Sequence, residues 1–263
     1  MYFRLCNSPT TFQAMMNEIF TDMDDIVVVY IDDLMIFTKT ENQAEHDKIV
    51  LEVLRRLEEN DLFMKPKKCM FHTTEVDFLG MIVGHDRIKI DQEKVKAILE
   101  WPEPKTVKGV RSFLELVNFY QKFIKDYAKV ARLLYDLTKK ENPFHWEEPQ
   151  QVAFDMLKLH FTTVPILAFP DIDCVFRLES NTSDYATGAV LSIEKEGVWH
   201  PTAFSSHSMT PQEWNYPIAD KEMLLVIQAL EQWCHYLEGA RHPFEIWNDH
   251  ANLQWFMQRQ DLN

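Results

Sequence analysis

Two apolar runs separated by a pair of aspartates constrain the fold of this chain more than any other feature. Residues 26–30 and 34–38 have the composition of strands, and Asp32 and Asp33 lie between them. The short spacing predicts a β-hairpin with two carboxylates at its bend, although the turn lacks the Gly or Asn typical of tight hairpins. In the simplest interpretation, these aspartates are ordinary turn residues that point to solvent.

A metal site is the alternative interpretation of Asp32 and Asp33. An unpaired carboxylate is costly next to apolar residues, and a divalent cation compensates its charge. Carboxylate oxygens suit Mg²⁺, which also binds the phosphate oxygens of substrates. Two such ions about 4 Å apart activate one oxygen and stabilise the leaving oxygen in phosphoryl transfer. The pair therefore predicts either an acidic turn or a centre for phosphoryl-transfer chemistry.

The periodicity elsewhere predicts several helices. Apolar residues at helical spacing predict longer helices over residues 9–20, 42–60, 149–161 and 218–237. Three shorter helices are expected between them: one from Asp91, one with Thr106 as its N-cap, and one that includes both Phe123 and Tyr127.

Strand patterns complete a mixed α+β or α/β chain with several domains. A second hairpin is predicted around Gly80, and a β-rich stretch over residues 175–205 with turns at Gly188 and Gly197. A last strand is expected over 244–247. With a boundary at Asn142 and Pro143, the sequence predicts three domains over residues 1–85, 86–143 and 144–263.

The charge of the chain is unevenly distributed. The net charge is −14, which argues against simple charge-driven binding of nucleic acid. Residues 86–140 carry 13 basic and 8 acidic side chains, whereas both flanking parts are acidic. A basic module that holds a polyanion is compatible with this pattern, and so are solvated surfaces of different composition.

Targeting and redox signals favour an intracellular protein of the cytoplasm or the nucleus. No run of about 18 apolar residues predicts a membrane span. The residues after Met1 do not have the pattern of a signal peptide. The four cysteines are widely spaced and are interpreted as reduced thiols.

Several motifs, in matching order, resemble one family. YIDD followed by LMIFTKT resembles the polymerase metal-binding hairpin of gypsy-type LTR retrotransposon reverse transcriptases. FRLCNSPTTFQAMMNEIF, MKPKKC and FLG are similar to the palm of that family, and WPEPKTVKGVRSFLELVNFYQKFI is similar to its thumb. PILAFPD, SDYATGAVLS and IADKEMLLVIQALEQWCHYLEG resemble the RNase H-type domain that follows. The resemblance implies a partial palm, a helical thumb and an incomplete RNase H-like domain.

The resemblance gives roles to residues of the palm. It implies that Asp32 and Asp33 are two of three polymerase carboxylates that hold Mg²⁺, and that Phe3 lies against the incoming nucleotide. Either Lys67 or Lys68 approaches the triphosphate, unless both are solvated surface lysines. The segment Phe78-Leu79-Gly80 braces the primer end, or else it forms an ordinary hairpin core.

The palm, at Arg4, and the thumb, at Glu115, also depart from the family pattern. Arg4 and Glu115 stand where the family has Gly, and an Arg side chain at the first position must turn away from the nucleotide pocket or block it. The third carboxylate belongs to a strand upstream of the first matched residue, so it is expected to be missing from this chain. A Pol or partner chain that supplies the missing palm strands is one route to activity.

The RNase H-like part shows similar departures. The family motif has Asp where this chain has Asn181, while Glu222 and Asp249 match the second and third carboxylates that hold metal ions there. Asparagine keeps an acceptor oxygen but not the charge, and the fourth carboxylate is expected beyond Asn263. RNA hydrolysis is therefore not expected. Without the resemblance, Glu222 and Asp249 would be interpreted as solvated residues.

Taken together, the resemblance implies an RNA-directed DNA polymerase. Its partners would be an RNA/DNA primer–template duplex and deoxynucleoside triphosphates, and its cofactor would be Mg²⁺, with no membrane partner. Two alternatives stay open: a non-catalytic module that binds nucleic acid through residues 86–140, and the inactive product of a decayed element.

Overall fold

The computed structural model describes residues 7–38, 42–163, 165–183 and 185–248, which form two compact units. The N-terminal unit is Met1–His85 and the C-terminal unit is Asp86–Asn263. Both contain helices and strands, which confirms the predicted mixed fold class. In the part of the chain that is described, no helix is long and apolar enough to cross a membrane.

The N-terminal unit alternates helices with two hairpins. Its elements are α1 (Ser8–Ile19), β1 (Val27–Tyr30), β2 (Asp33–Ile36), α2 (Gln43–Glu59), β3 (Val76–Phe78) and β4 (Met81–Val83). Short 3₁₀ turns occupy Thr21–Met23 and Pro66–Lys68. Strands β1 and β2 pair antiparallel, as do β3 and β4, so both predicted hairpins are confirmed.

One apolar cluster holds the two longer helices of this unit against the first hairpin. Helical spacing places Met16 and Phe20 at the C-terminal end of α1, and Val53 and Leu57 on one face of α2. Val27 of β1 is buried in the same cluster. The inner face of the hairpin is therefore anchored, while its tip extends beyond the core.

An ion-pair network at the edge of this cluster predicts acid sensitivity. The Arg56 guanidinium donates to the Asp22 carboxylate and lowers the pKa of Asp22 from its ordinary value of 3.8 to about 2. Because the pKa is lower in the folded state, this stabilisation is complete above about pH 4 and is lost as pH falls towards 2. We expect α2 amides to exchange faster in Asp22→Asn than in the wild type at pH 5, with the difference gone near pH 2. A difference that persists at pH 2 would contradict this linkage.

The C-terminal unit begins with a strand and four helices. These are β5 (Arg87–Ile90), α3 (Gln92–Leu99), α4 (Val107–Phe119), α5 (Tyr127–Asp136) and α6 (Glu148–Thr162). Thr106 caps α4, as predicted, because its hydroxyl accepts a hydrogen bond from the Gly109 N–H. The third short helix begins at Tyr127, and Phe123 lies in a separate 3₁₀ turn, so the prediction of one helix through both residues was wrong. Asp126, with φ of +55°, interrupts helical geometry between them.

A four-stranded sheet and one long helix complete this unit. After β6 (Leu167–Ala168) come β7 (Phe176–Thr182), β8 (Ala186–Lys195), β9 (Val198–Ser208), α7 (Ile218–Leu237) and β10 (Glu245–Asn248). The sheet order is β10-β7-β8-β9, with β10 parallel to β7 and the other pairs antiparallel. Gly197 forms the predicted turn, but Gly188 lies inside β8, which corrects the second turn prediction.

Helices cover both faces of the sheet. On one face, the apolar side chains of β7 and β8 pack against α7 in a cluster that includes Leu178, Leu191, Leu225 and Trp233. On the other face, α5 contacts β8 and β9, and the Ala128 N–H donates to the Ser206 hydroxyl at 2.9 Å. Residue 143, the predicted domain boundary, therefore falls inside one compact unit.

The close approach of the Asp126 carboxylate to β8 predicts a small cost for a side chain at Gly188. A Cβ atom at this position would lie 2.5 Å from Asp126 Oδ1. We expect Gly188→Ala to lower the free energy of unfolding by up to about 1 kcal/mol, because the Asp126 carboxylate has to rotate away from the new methyl group. Adding Asp126→Gly should restore most of that loss, because it removes the clashing carboxylate and suits the left-handed backbone. Denaturant unfolding of the two variants measures this, and additive losses would contradict the clash.

Candidate polymerase hairpin and RNase H-like site

The predicted metal-binding aspartates lie at the tip of the first hairpin. Tyr30 pairs with Asp33, so Ile31 and Asp32 form a two-residue turn. Both aspartates are exposed. Among the described residues, neither carboxylate has a hydrogen-bond or ion-pair partner. Their oxygens are therefore available to a ligand from solvent.

The donor chemistry of this tip fits Mg²⁺ in part. Two adjacent carboxylates supply hard anionic oxygens, which this ion prefers, and substrate phosphates or water normally complete its octahedral shell. Within residues 7–38, 42–163, 165–183 and 185–248, no group of three or more His, Cys, Asp or Glu side chains could hold a metal ion. Asp32 and Asp33 alone would therefore supply only part of an octahedral coordination sphere.

The other predicted palm residues that the structure describes lie in an exposed 3₁₀ turn and in a partly buried second hairpin. Lys67 and Lys68 lie in the 3₁₀ turn Pro66–Lys68, and both side chains are exposed. Phe78 pairs with Met81, which makes Leu79 and Gly80 the turn of the second hairpin. Both turn residues have positive φ, 54° and 73°, as a type I′ turn requires.

Three predicted positions lie outside the described residues. Phe3, Arg4 and Asp249 belong to this group. Their proposed contacts with nucleotide or metal therefore stay predictions.

Glu222 lies in a buried hydrogen-bond network. It is 3% exposed on α7, and its carboxylate accepts hydrogen bonds from the Thr182 hydroxyl and the Asn248 amide. The Asn248 amide also donates to the Ser180 hydroxyl at 2.9 Å. The network joins α7 to β7 and β10, so both Glu222 oxygens are engaged by neutral donors.

Asn181 points away from this network. Side chains alternate along a strand, so Asn181 lies on the face of β7 opposite Ser180 and Thr182. It pairs with Gly188, and the side of Gly188 where a Cβ atom would lie faces Asp126, the residue before α5. Asn181 stands where the family motif has its first carboxylate. It therefore lies on the opposite face of the sheet from Glu222.

Sequence reasoning missed Gln13. Its amide contacts the backbone of the first hairpin, although the family-like motif that contains it, FRLCNSPTTFQAMMNEIF, implied no role for this residue. A polar residue on a largely apolar helix face, between Phe12 and Met16, was the only available signal.

Family models match both units. Residues 5–83 match the reverse transcriptase (RNA-dependent DNA polymerase) family, and residues 146–246 match the RNase H-like domain found in reverse transcriptase. The first match includes the YIDD hairpin, and the second includes the sheet and α7.

Curated relatives from Schizosaccharomyces pombe extend the similarity over nearly the whole chain. The Transposon Tf2-3 polyprotein is 35% identical over 255 residues, which is 96% of this chain and 19% of the relative. The Transposon Tf2-7 polyprotein is 35% identical over 248 residues, which is 94% of this chain and 18% of the relative. The chain thus spans about a fifth of the length of these relatives.

Solved structures of a foamy viral protease-reverse transcriptase share the fold. The complex with an RNA/DNA hybrid matches with a TM-score of 0.80 and 23% identity, covering 100% of this chain and 36% of that one. A complex with dsDNA matches with a TM-score of 0.79 and 22% identity, covering 99% and 54%. At this identity, the structures show a shared fold. The family matches and the curated relatives show that the chain corresponds to the reverse transcriptase and RNase H-like region of gypsy-type retrotransposon polyproteins.

Proposed function

We propose that this chain takes part in template-directed DNA synthesis and that Asp32 and Asp33 hold the Mg²⁺ ions of the reaction. The observation that carries this proposal is a pair of exposed carboxylates without partners among the described residues, at the tip of a hairpin within the matched reverse transcriptase segment. Asp32 and Asp33 would supply anionic oxygens to bound Mg²⁺, which would in turn supply activation of the primer 3′ oxygen and stabilisation of charge on the leaving pyrophosphate.

Other palm residues act on the nucleotide and the primer in this proposal. Lys67 and Lys68 are exposed, so either ammonium group is free to approach a triphosphate. Phe78, Leu79 and Gly80 form a tight turn that would brace the primer end. Phe3 would contact the sugar and base of the incoming nucleotide. A further Pol chain or segment that supplies palm strands belongs to the same proposal.

The partner in this proposal is an RNA/DNA primer–template duplex. The structural neighbours are complexes with an RNA/DNA hybrid and with dsDNA. Most of the 13 basic side chains of residues 86–140 are exposed, which suits contacts with phosphates. The same basic segment favours a second candidate function, duplex binding without catalysis.

The RNase H-like domain is proposed to support nucleic-acid binding and not to hydrolyse RNA. Asn181 lacks the charge of a metal-binding carboxylate and lies across the sheet from Glu222. Glu222 is engaged by Thr182 and Asn248, so Glu222 and Asp249 are weak candidates for a two-metal centre.

Primer extension separates the two functions. The test uses the 263-residue chain, an RNA template with a DNA primer, and deoxynucleoside triphosphates with or without Mg²⁺. Mg²⁺-dependent extension supports the polymerase. The binding module would be supported instead by a folded chain that does not extend the primer but binds the duplex. Its affinity would then fall steeply with salt concentration and would not depend on Mg²⁺.

A further inference from the structure

We propose that Gln13 is a positioning residue that fixes the turn presenting Asp32 and Asp33. Its side-chain Oε1 accepts a hydrogen bond from the Ile31 N–H at 2.7 Å, and its Nε2 donates to the Val29 carbonyl at 3.1 Å. One amide on α1 thus contacts the backbone on both sides of Tyr30, directly before the two carboxylates. This inference rests on the proposed role of Asp32 and Asp33 in metal binding.

The turn needs such a contact because its own residues do not favour it. Ile31 has φ of +53°, a conformation that β-branched residues rarely adopt. Two-residue hairpin turns normally rely on Gly, Asn or Asp where φ is positive, and here that position is Ile31. The orientation of the Tyr30–Ile31 peptide, which leads into the turn, is therefore set from outside the hairpin by the Gln13 acceptor.

A primary amide suits both contacts. Glutamine carries one acceptor oxygen and two N–H donors on the same group, so it serves the Ile31 N–H and the Val29 carbonyl together. Its second N–H donates to Asn17 Oδ1 at 2.7 Å, one helical turn along α1, which holds the amide in this orientation. A carboxylate keeps the acceptor but has no donor for Val29, and an apolar side chain has neither.

The test compares Gln13→Met, Gln13→Glu and Asn17→Ala with the wild type. Methionine keeps an unbranched helix-forming side chain without the hydrogen bonds. Two quantities are measured by NMR: exchange of the Ile31 amide with solvent, and the Mn²⁺ concentration that half-broadens signals of residues 30–34. In Gln13→Met we expect Ile31 exchange to rise about tenfold and Mn²⁺ affinity to fall about tenfold.

The other variants separate positioning from general stability. Gln13→Glu should retain slow Ile31 exchange, because the acceptor is kept. Asn17→Ala should leave both quantities within about twofold of the wild type, because it removes only the hydrogen bond between Gln13 and Asn17 and keeps both contacts with the hairpin. Exchange in the α2 amides should not change in any variant, since the apolar cluster is untouched.

Each result decides the proposal. Unchanged Ile31 exchange in Gln13→Met would overturn it, even if Asp32→Asn/Asp33→Asn abolishes Mn²⁺ binding and so upholds the proposed function. Faster exchange with unchanged Mn²⁺ affinity would overturn the positioning role. Slow Ile31 exchange in the wild type with no Mn²⁺ effect on residues 30–34 would overturn both metal binding and positioning. Gln13 would then make only a structural contact with the hairpin.

Discussion

Asp32→Asn/Asp33→Asn is expected to lower primer extension at least about a thousandfold, which is a barrier increase of about 4 kcal/mol. Asparagine preserves the shape of both side chains and removes their negative charge, so the tip loses its affinity for Mg²⁺. The fold should be unaffected, because both carboxylates are exposed and have no partner among the described residues. Extension rates with matched circular dichroism spectra provide the measurement.

A second acidic pair in the same unit offers a matched control. Asp24 and Asp25 are adjacent and exposed, and they precede β1. Asp24→Asn/Asp25→Asn changes the net charge by the same amount but leaves the hairpin tip intact. We expect it to retain extension within about twofold. Equal loss in both double variants would indicate a general charge effect and contradict a specific site at Asp32 and Asp33.

Phe113→Ala is expected to lower the free energy of unfolding of the C-terminal unit by about 3–5 kcal/mol. Phe113 of α4 is fully buried, and its ring lies 4.6 Å from that of Phe154 on α6 and 6.1 Å from that of Trp101. The cavity would therefore open between helices on either side of residue 143. Guanidinium unfolding followed by tryptophan fluorescence measures this unit alone, because all seven tryptophans lie at or after Trp101.

The shape of that transition also tests the division of the chain. If the thumb-like helices and the sheet form one cooperative unit, Phe113→Ala should shift a single transition of unchanged steepness. Phe119→Ala, on the same helix but 53% exposed, should cost less than about 1 kcal/mol. Two separate transitions in Phe113→Ala would instead indicate independent domains over residues 86–143 and 144–263.

Local patterns predicted most elements of the fold. The helix over 218–237 and the Thr106 cap follow from apolar spacing and from a side chain that satisfies a free N–H. The helix start at Tyr127 could not be predicted from local patterns, because Asp126 adopts a left-handed conformation next to β8. Gly188 was misassigned for a related reason: it lies inside β8 next to the Asp126 carboxylate, a tertiary contact, and not in a turn.

The candidate site also contains features that the sequence predicts and contacts that it does not. Asp32 and Asp33 are evident in the sequence because two carboxylates interrupt apolar runs, and the hairpin itself was predicted from those runs. The contact from Gln13 depends on how α1 packs against β1, which no local pattern contains. The network around Glu222 likewise joins three elements that are distant in sequence, so its burial could not be predicted.

Paramagnetic broadening of amide NMR signals by Mn²⁺ tests most directly whether the hairpin tip holds a divalent metal ion. Mn²⁺ accepts the same oxygen ligands as Mg²⁺ and broadens only nearby signals. We predict broadening centred on residues 30–34 of the wild type, reversed by excess Mg²⁺ and absent from Asp32→Asn/Asp33→Asn. Broadening that persists in the double variant, or that centres on Asp24 and Asp25 or on Glu222, would contradict the metal site proposed here.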